Sequence, residues 1–207
     1  MTPRIHPFAP ALAFSAKLIS GAQARWFNCE PLPRQRIYFG NHSSHLDPLV
    51  LWAALPPEIR ASTRPIAAKN YWGRDHLRCY VATRIFQAVL IDRPEHGVAH
   101  HGILDPIVQA LNQGASLILF PEGTRGSGEQ IAPFKSGLYH LCMLKPDVEA
   151  VPVCLENLNR VLPKGAIIPV PLISRVTFGR PMQVRASESK EGFLERARAA
   201  ISELRDV

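Results

Sequence analysis

Short apolar runs recur along this chain, and most are followed by a stretch with helical spacing. The runs are Arg36–Phe39, Pro65–Ala68, Ala88–Ile91, Ser116–Phe120, Ala150–Leu155 and Arg175–Phe178. The helical stretches are residues 46–54, 74–86, 97–112 and 136–144, with Pro106 placed to split the third. A last one is the clearest, because Phe193, Ala197, Ala200, Ile201 and Leu204 share one face. Such alternation predicts an α/β fold: a central, largely parallel sheet flanked by helices. Residues 116–120, SLILF, are apolar at nearly every position, as a strand covered on both faces requires. With 207 residues, 46% of them hydrophobic, the chain suffices for one domain with a sizeable core. The proline-bearing stretch 161–174 reads as an irregular loop within it.

In parallel sheets, sites form in the loops beyond the carboxyl ends of strands. Three polar motifs fall at such ends: GNHSSHLD at 40–47, Asp92-Arg93 after Ile91, and PEGTRG at 121–126. In the first, His42 and Asp47 are five residues apart and do not share a face of a regular helix. They meet only where the backbone turns between them, with His42 outside the helix and Asp47 in its first turn. A carboxylate on one imidazole nitrogen fixes the tautomer and leaves the other nitrogen free to act as a base. The competing reading is a plain helix cap by Asp47 or Ser44. His45, inside the turn, reads as a packing or supporting residue.

In the 121–126 motif, Glu122, Thr124 and Arg125 supply a carboxylate, a hydroxyl and a guanidinium, and Gly123 allows close backbone approach. Arg93 adds a second cation at the same sheet edge. This is a phosphate-binding composition without the spacing of a P-loop. Neither GxSxG nor HExxH occurs. His96, His100 and His101 offer two ligands at i, i+4, so no metal site is expected. The four cysteines have no CxxC spacing and read as reduced, buried thiols.

The net charge of +7 lies wholly in the first half of the chain. Residues 1–93 hold twelve Lys/Arg against five Asp/Glu, whereas 94–207 hold twelve of each. Such a field attracts phosphate groups, acidic lipid or an acidic carrier protein. Nucleic acid is not expected, because the arginines are scattered among apolar residues and no nucleic-acid motif is present. No apolar run approaches the roughly 20 residues of a spanning helix. Residues 1–30 read as an amphipathic segment that lies in a membrane interface or docks on the domain, with Lys17, Arg25 and Trp26 reaching the headgroups. Lys17 inside the apolar stretch argues against a cleaved signal peptide.

Taken together the motifs resemble those of the glycerolipid acyltransferase family. The family's NHxxxxD block is matched by Asn41–Asp47, and its strand ending in IDR by Val89–Arg93. Its FPEGTRS block is matched by Phe120–Gly126, and its VPV strand by Val151–Val153. Lys69 and the PFKSG at 133–137 also fall at family positions. The resemblance runs from about residue 36 to 180, and residues 31–207 would form the acyltransferase domain.

The resemblance implies that His42 deprotonates an acceptor hydroxyl while Asp47 orients it. The hydroxyl would attack an acyl thioester on coenzyme A or acyl carrier protein, with no other cofactor. The expected acceptor is the free hydroxyl of 1-acyl-glycerol 3-phosphate, giving phosphatidic acid. Arg93, Glu122, Gly123, Thr124 and Arg125 would hold the glycerol phosphate, and Lys69 or backbone amides the oxyanion. The expected place is the cytoplasmic face of the inner membrane, peripheral or monotopic. Other lysolipids or glycerol 3-phosphate as acceptor, a non-catalytic lipid-binding protein, and a thioesterase remain alternatives. Three departures from the family pattern stand out: Gln87 replaces a glycine-bearing turn, Gly126 replaces the serine after the arginine, and a shorter amphipathic stretch stands where many members carry N-terminal spanning helices.

Overall fold

The computed structural model describes residues 6–69, 76–92, 102, 104–162, 170 and 172–207. Its sheet contains β1 (Gln23–Trp26), β2 (Arg36–Gly40), β3 (Thr63–Ala68), β4 (Val89–Ile91), β5 (Ser116–Leu119), β6 (Glu149–Glu156) and β7 (Arg175–Phe178). The order across the seven-stranded sheet is β1-β7-β6-β2-β5-β3-β4. Neighbours are parallel except β6 and β7. The helices are α1 (Ala9–Ser20), α2 (Asp47–Ala54), α3 (Pro57–Ala61), α4 (His76–Tyr80), α5 (Asp105–Asn112), α6 (Gly137–Leu144), α7 (Leu158–Val161) and α8 (Lys190–Glu203). The expected α/β architecture is therefore present.

Side chains alternate across the central strands, as strand geometry dictates. Tyr38, Ile118, Val151, Val153 and Leu155 pack with α1 and α2 on one face. Ile37, Phe39, Leu117, Leu119, Ala150 and Cys154 pack with α5, α6 and α8 on the other. From β2 the chain crosses by α2 to β3; from the adjacent β5 it crosses by α6 to β6. The two crossovers leave in opposite directions and cover opposite faces. A crevice opens between the carboxyl ends of β2 and β5, the switch point at which α/β sheets bind ligands.

Differences from the sequence expectations concern short or edge elements. β1 is an edge strand paired only with β7, with mostly exposed side chains and no apolar alternation to betray it. Described residues of the expected 97–112 helix form α5 from Asp105, with Pro106 in the first turn, where its missing N–H costs nothing. Within the 74–86 stretch, α4 runs into a π-helical turn at Val81–Ile85. That turn ends at Gln87, whose φ is +50°. A glycine, which this position lacks, adopts this left-handed backbone freely.

α1 docks on α2 through small residues: Ala9, Ala13, Ala16 and Ser20 are buried. Its other side leaves Phe8, Phe14, Leu18 and Ile19 exposed. The helix ends at left-handed Gly21, where a Cβ would lie 3.0 Å from the Leu172 carbonyl oxygen. Two residues expected at a membrane surface, exposed Arg25 and half-buried Trp26, make contacts with the domain. Trp26 stacks on Phe178 with centroids 4.0 Å apart, and Arg25 donates to the Val207 carbonyl at 2.6 Å. No helix among the described residues is long and apolar enough to cross a membrane.

Candidate active site

The site begins where β2 ends. Asn41 continues the strand by side chain: its Nδ2 donates to the Leu155 carbonyl at 2.9 Å, and its Oδ1 accepts from the Leu155 amide at 2.8 Å. This pins the end of β2 to β6, so the next residue is delivered to a fixed place. That residue is His42. The backbone then turns, and Asp47 is the first residue of α2.

His42 Nδ1 and Asp47 Oδ2 are 2.8 Å apart. The same oxygen accepts from the backbone amides of Ser43 at 2.6 Å and Ser44 at 2.8 Å. Asp47 is fully buried, and its Oδ1 has no hydrogen-bond partner. One oxygen thus gathers three donors. This geometry places a proton on Nδ1 and leaves Nε2 as the acceptor. The His42 ring stacks on Phe120, centroids 4.5 Å apart, and its side chain is 15% exposed, enough for a substrate to reach.

Glu122, at the end of β5, supports this turn from the neighbouring strand. Its Oε1 accepts from the His42 amide at 2.7 Å and its Oε2 from the Ala132 amide at 2.9 Å. The carboxylate is buried, with both oxygens engaged. The Gly126 amide donates to the His42 carbonyl at 2.8 Å. The 120–126 loop therefore holds the His42 backbone by both its N–H and its C=O. Nothing in the sequence spacing signals this, because the partners are some 80 residues apart.

The other expected residues occupy distinct places along the same sheet edge. Thr124 and Arg125 are exposed beside the crevice, and Arg125 has no ion pair among the described residues. Gly123 has φ +75°, and Lys135 lies across the side where a Cβ would project. Lys69 follows β3, exposed, with its Nζ 3.6 Å from Asp92 Oδ2. β3 is two strands from β2, about 10 Å. Arg93 and His96, His100 and His101 lie outside the described residues. All four cysteines are free thiols, three of them buried. Burial pushes the Cys142 and Cys154 thiols up to about 12, which suits packing and not nucleophilic attack.

A histidine–carboxylate pair at the switch point, with cations along the same edge, defines a class. The family model described as Acyltransferase matches residues 26–156, and the chain belongs to that family. Among its relatives is the 1-acyl-sn-glycerol-3-phosphate acyltransferase of Limnanthes alba, 28% identical over 151 residues, with 69% of this chain and 49% of the relative covered. The enzyme of that name from Escherichia coli K12 is 29% identical over 144 residues, covering 64% and 53%. The human alpha form is 32% identical over 129 residues, covering 61% and 42%. The chain thus spans about half the length of these curated relatives. The crystal structure of the 1-acyl-sn-glycerophosphate (LPA) acyltransferase PlsC from Thermotoga maritima aligns with a TM-score of 0.72 at 20% identity. That alignment covers 96% of this chain and 79% of the other, and shows a shared fold.

Proposed function

We propose that this protein transfers a fatty acyl group from an acyl thioester, on coenzyme A or acyl carrier protein, to the free hydroxyl of 1-acyl-glycerol 3-phosphate, giving phosphatidic acid. The observation that carries this reading is the His42–Asp47 pair, oriented by three donors on one carboxylate oxygen. His42 Nε2 takes the proton of the acceptor hydroxyl as its oxygen attacks the thioester carbonyl. The tetrahedral intermediate collapses, the carbon–sulfur bond breaks, and the imidazolium returns its proton to the departing thiolate. Asp47 stabilises that imidazolium throughout. The acceptor supplies the nucleophile, so the protein needs none of its own.

Arg125 and Arg93 would bind the acceptor phosphate, Gly123 and Thr124 lying beside it, while Glu122 shapes the pocket through the His42 and Ala132 amides. The oxyanion would be met by backbone amides of the loops or by Lys69 released from Asp92. The exposed apolar side of α1, with Phe8, Phe14, Leu18 and Ile19, supports a peripheral or monotopic seat on a membrane surface, where a lysolipid acceptor resides. The proposed seat is the cytoplasmic face of the inner membrane.

The test is acyl transfer from acyl-CoA and from acyl carrier protein to lysophosphatidic acid in detergent micelles. Wild type forms labelled phosphatidic acid and the folded His42→Ala variant does not. Equal activity of the two removes His42 as the base. Release of free fatty acid at the same rate without any acceptor points to a thioesterase instead.

A further inference from the structure

The sequence motif PFKSG at 133–137 holds a lysine that the chemistry above leaves unused. Its backbone is anchored on both sides. Phe134 is buried edge-on to Phe39, centroids 6.3 Å apart, and Leu138 is buried in the core. The Lys135 amide itself donates to the Pro121 carbonyl at 2.9 Å. From this fixed origin the side chain reaches over the 122–123 turn. A Cβ on Gly123 would lie 2.8 Å from both Cε and Nζ of Lys135 and 2.9 Å from Cδ. The ammonium therefore stands over the residue next to Glu122, whose carboxylate holds the His42 amide.

No described carboxylate cancels this charge. Lys135 is exposed and has no ion pair among the described residues. Glu122, one residue from the ammonium's resting place, has both oxygens committed to backbone amides. The first turn of α6, just after Lys135, carries no acidic residue. Arg125, two residues past Gly123, is likewise unpaired among the described residues. Lys69, by contrast, faces Asp92. Two uncompensated cations thus flank the 123–125 turn beside the base. An exposed ammonium on an anchored backbone, without a counter-ion, is available to an anionic group of a ligand.

We propose that Lys135 reads the phosphate of the acceptor together with Arg125. This rests on the acyl-transfer reading for the identity of the ligand, a lipid monoester of phosphoric acid. Lys135 is then a specificity residue: it favours phosphorylated over unphosphorylated acceptor, and it acts on acceptor binding more than on the chemical step.

The experiment measures binding of 1-acyl-glycerol 3-phosphate and of the monoacylglycerol with the same chain, each in neutral detergent micelles. The proteins are wild type, Lys135→Met and Lys135→Arg. Lys190→Met, far along the chain on α8, removes the same charge as a control. One charge-assisted contact corresponds to a roughly ten- to hundredfold weaker affinity when lost. Lys135→Met shows that loss for the phosphorylated lipid only, and Lys135→Arg recovers most of it. In turnover, Lys135→Met raises KM for the phosphorylated acceptor more than it lowers kcat. Wild-type affinity in Lys135→Met overturns the assignment, as does an equal loss for both lipids or an equal loss in Lys190→Met. Phosphate-dependent binding by a wild type that transfers no acyl group defeats the acyl-transfer reading and leaves the assignment of Lys135 standing.

Discussion

Replacing Asp47 by asparagine separates the electrostatic from the structural part of what one carboxylate does. Oδ2 accepts from His42 and from the Ser43 and Ser44 amides, while Oδ1 is buried without a partner. An asparagine must turn its carbonyl oxygen to the two amides, since its NH2 cannot accept from them. The turn keeps its hydrogen bonds, and the NH2 takes the position where no bond existed. What disappears is the negative charge. An imidazolium and a carboxylate about 4 Å apart between centres interact by about 4 kcal/mol at an effective dielectric of about 20. Losing this in the transition state slows the chemical step by roughly a thousandfold.

Asp47→Ala is different, because it strips two buried amides of their acceptor. Together these cost on the order of 3 kcal/mol, a fall in Tm of roughly 10 °C for a chain of this size. The assay is kcat for labelled acyl transfer to lysophosphatidic acid, with thermal denaturation followed in parallel. Asp47→Asn lowers kcat by about three decades and leaves Tm within about 2 °C of wild type. Asp47→Ala lowers both. An Asp47→Asn enzyme keeping a tenth of wild-type kcat would refute the charge argument. An unchanged Tm in Asp47→Ala would refute the account of the turn.

Three further outcomes follow from other contacts. Glu122→Gln leaves one of the His42 and Ala132 amides facing an NH2, so it lowers stability by about 1–3 kcal/mol and also reduces kcat by misplacing His42, both read from melting and turnover. The Phe14→Ser/Leu18→Ser double variant alters only exposed side chains of α1; its Tm stays within about 2 °C, while sedimentation with phospholipid vesicles falls several-fold. The bidentate Arg196 guanidinium holds the Glu188 carboxyl down at about 2, so the folded state binds its proton more weakly than the unfolded state does. That stability, about 1 kcal/mol after solvent screening, is present above pH 4.5 and fades as pH falls through about 2. Wild type therefore exceeds Glu188→Gln in stability at pH 6 by denaturant titration, and the gap narrows toward pH 2.

The sequence made the inner strands legible for a simple reason. β2, β5 and β6 are covered on both faces, so nearly every position is apolar. β1 escaped because an edge strand with exposed side chains has no such constraint. α3 and α7 escaped because five- and four-residue helices hold too little periodicity to read. At the site, the spacing of His42 and Asp47 revealed a turn because both partners lie in one loop. The grip of Glu122 on the His42 amide was not legible, since it joins two loops across a strand pair and uses backbone atoms, which no residue type advertises. A carboxylate beside Arg125 reads as a ligand group until its two oxygens are seen engaged. Lys135 was visible only as part of a motif, because its place over Gly123 depends on a chain reversal between Gly123 and Phe134.

The packing of α1 on α2 through alanines and a serine has a mechanical consequence. Small residues bring the two helix axes close and leave no compliant side-chain layer between them. α2 begins with Asp47 itself. The outward-facing Phe14 and Leu18 of α1 and the carboxylate beside His42 thus sit on two stacked rods, with no flexible tether. Wherever the outer rod comes to rest, the imidazole stands at a set height above that plane. On the membrane seat proposed above, such a mount would work as a depth gauge: it would set how far a lipid must rise for its hydroxyl to meet Nε2, a length fixed once by the packing of the two helices.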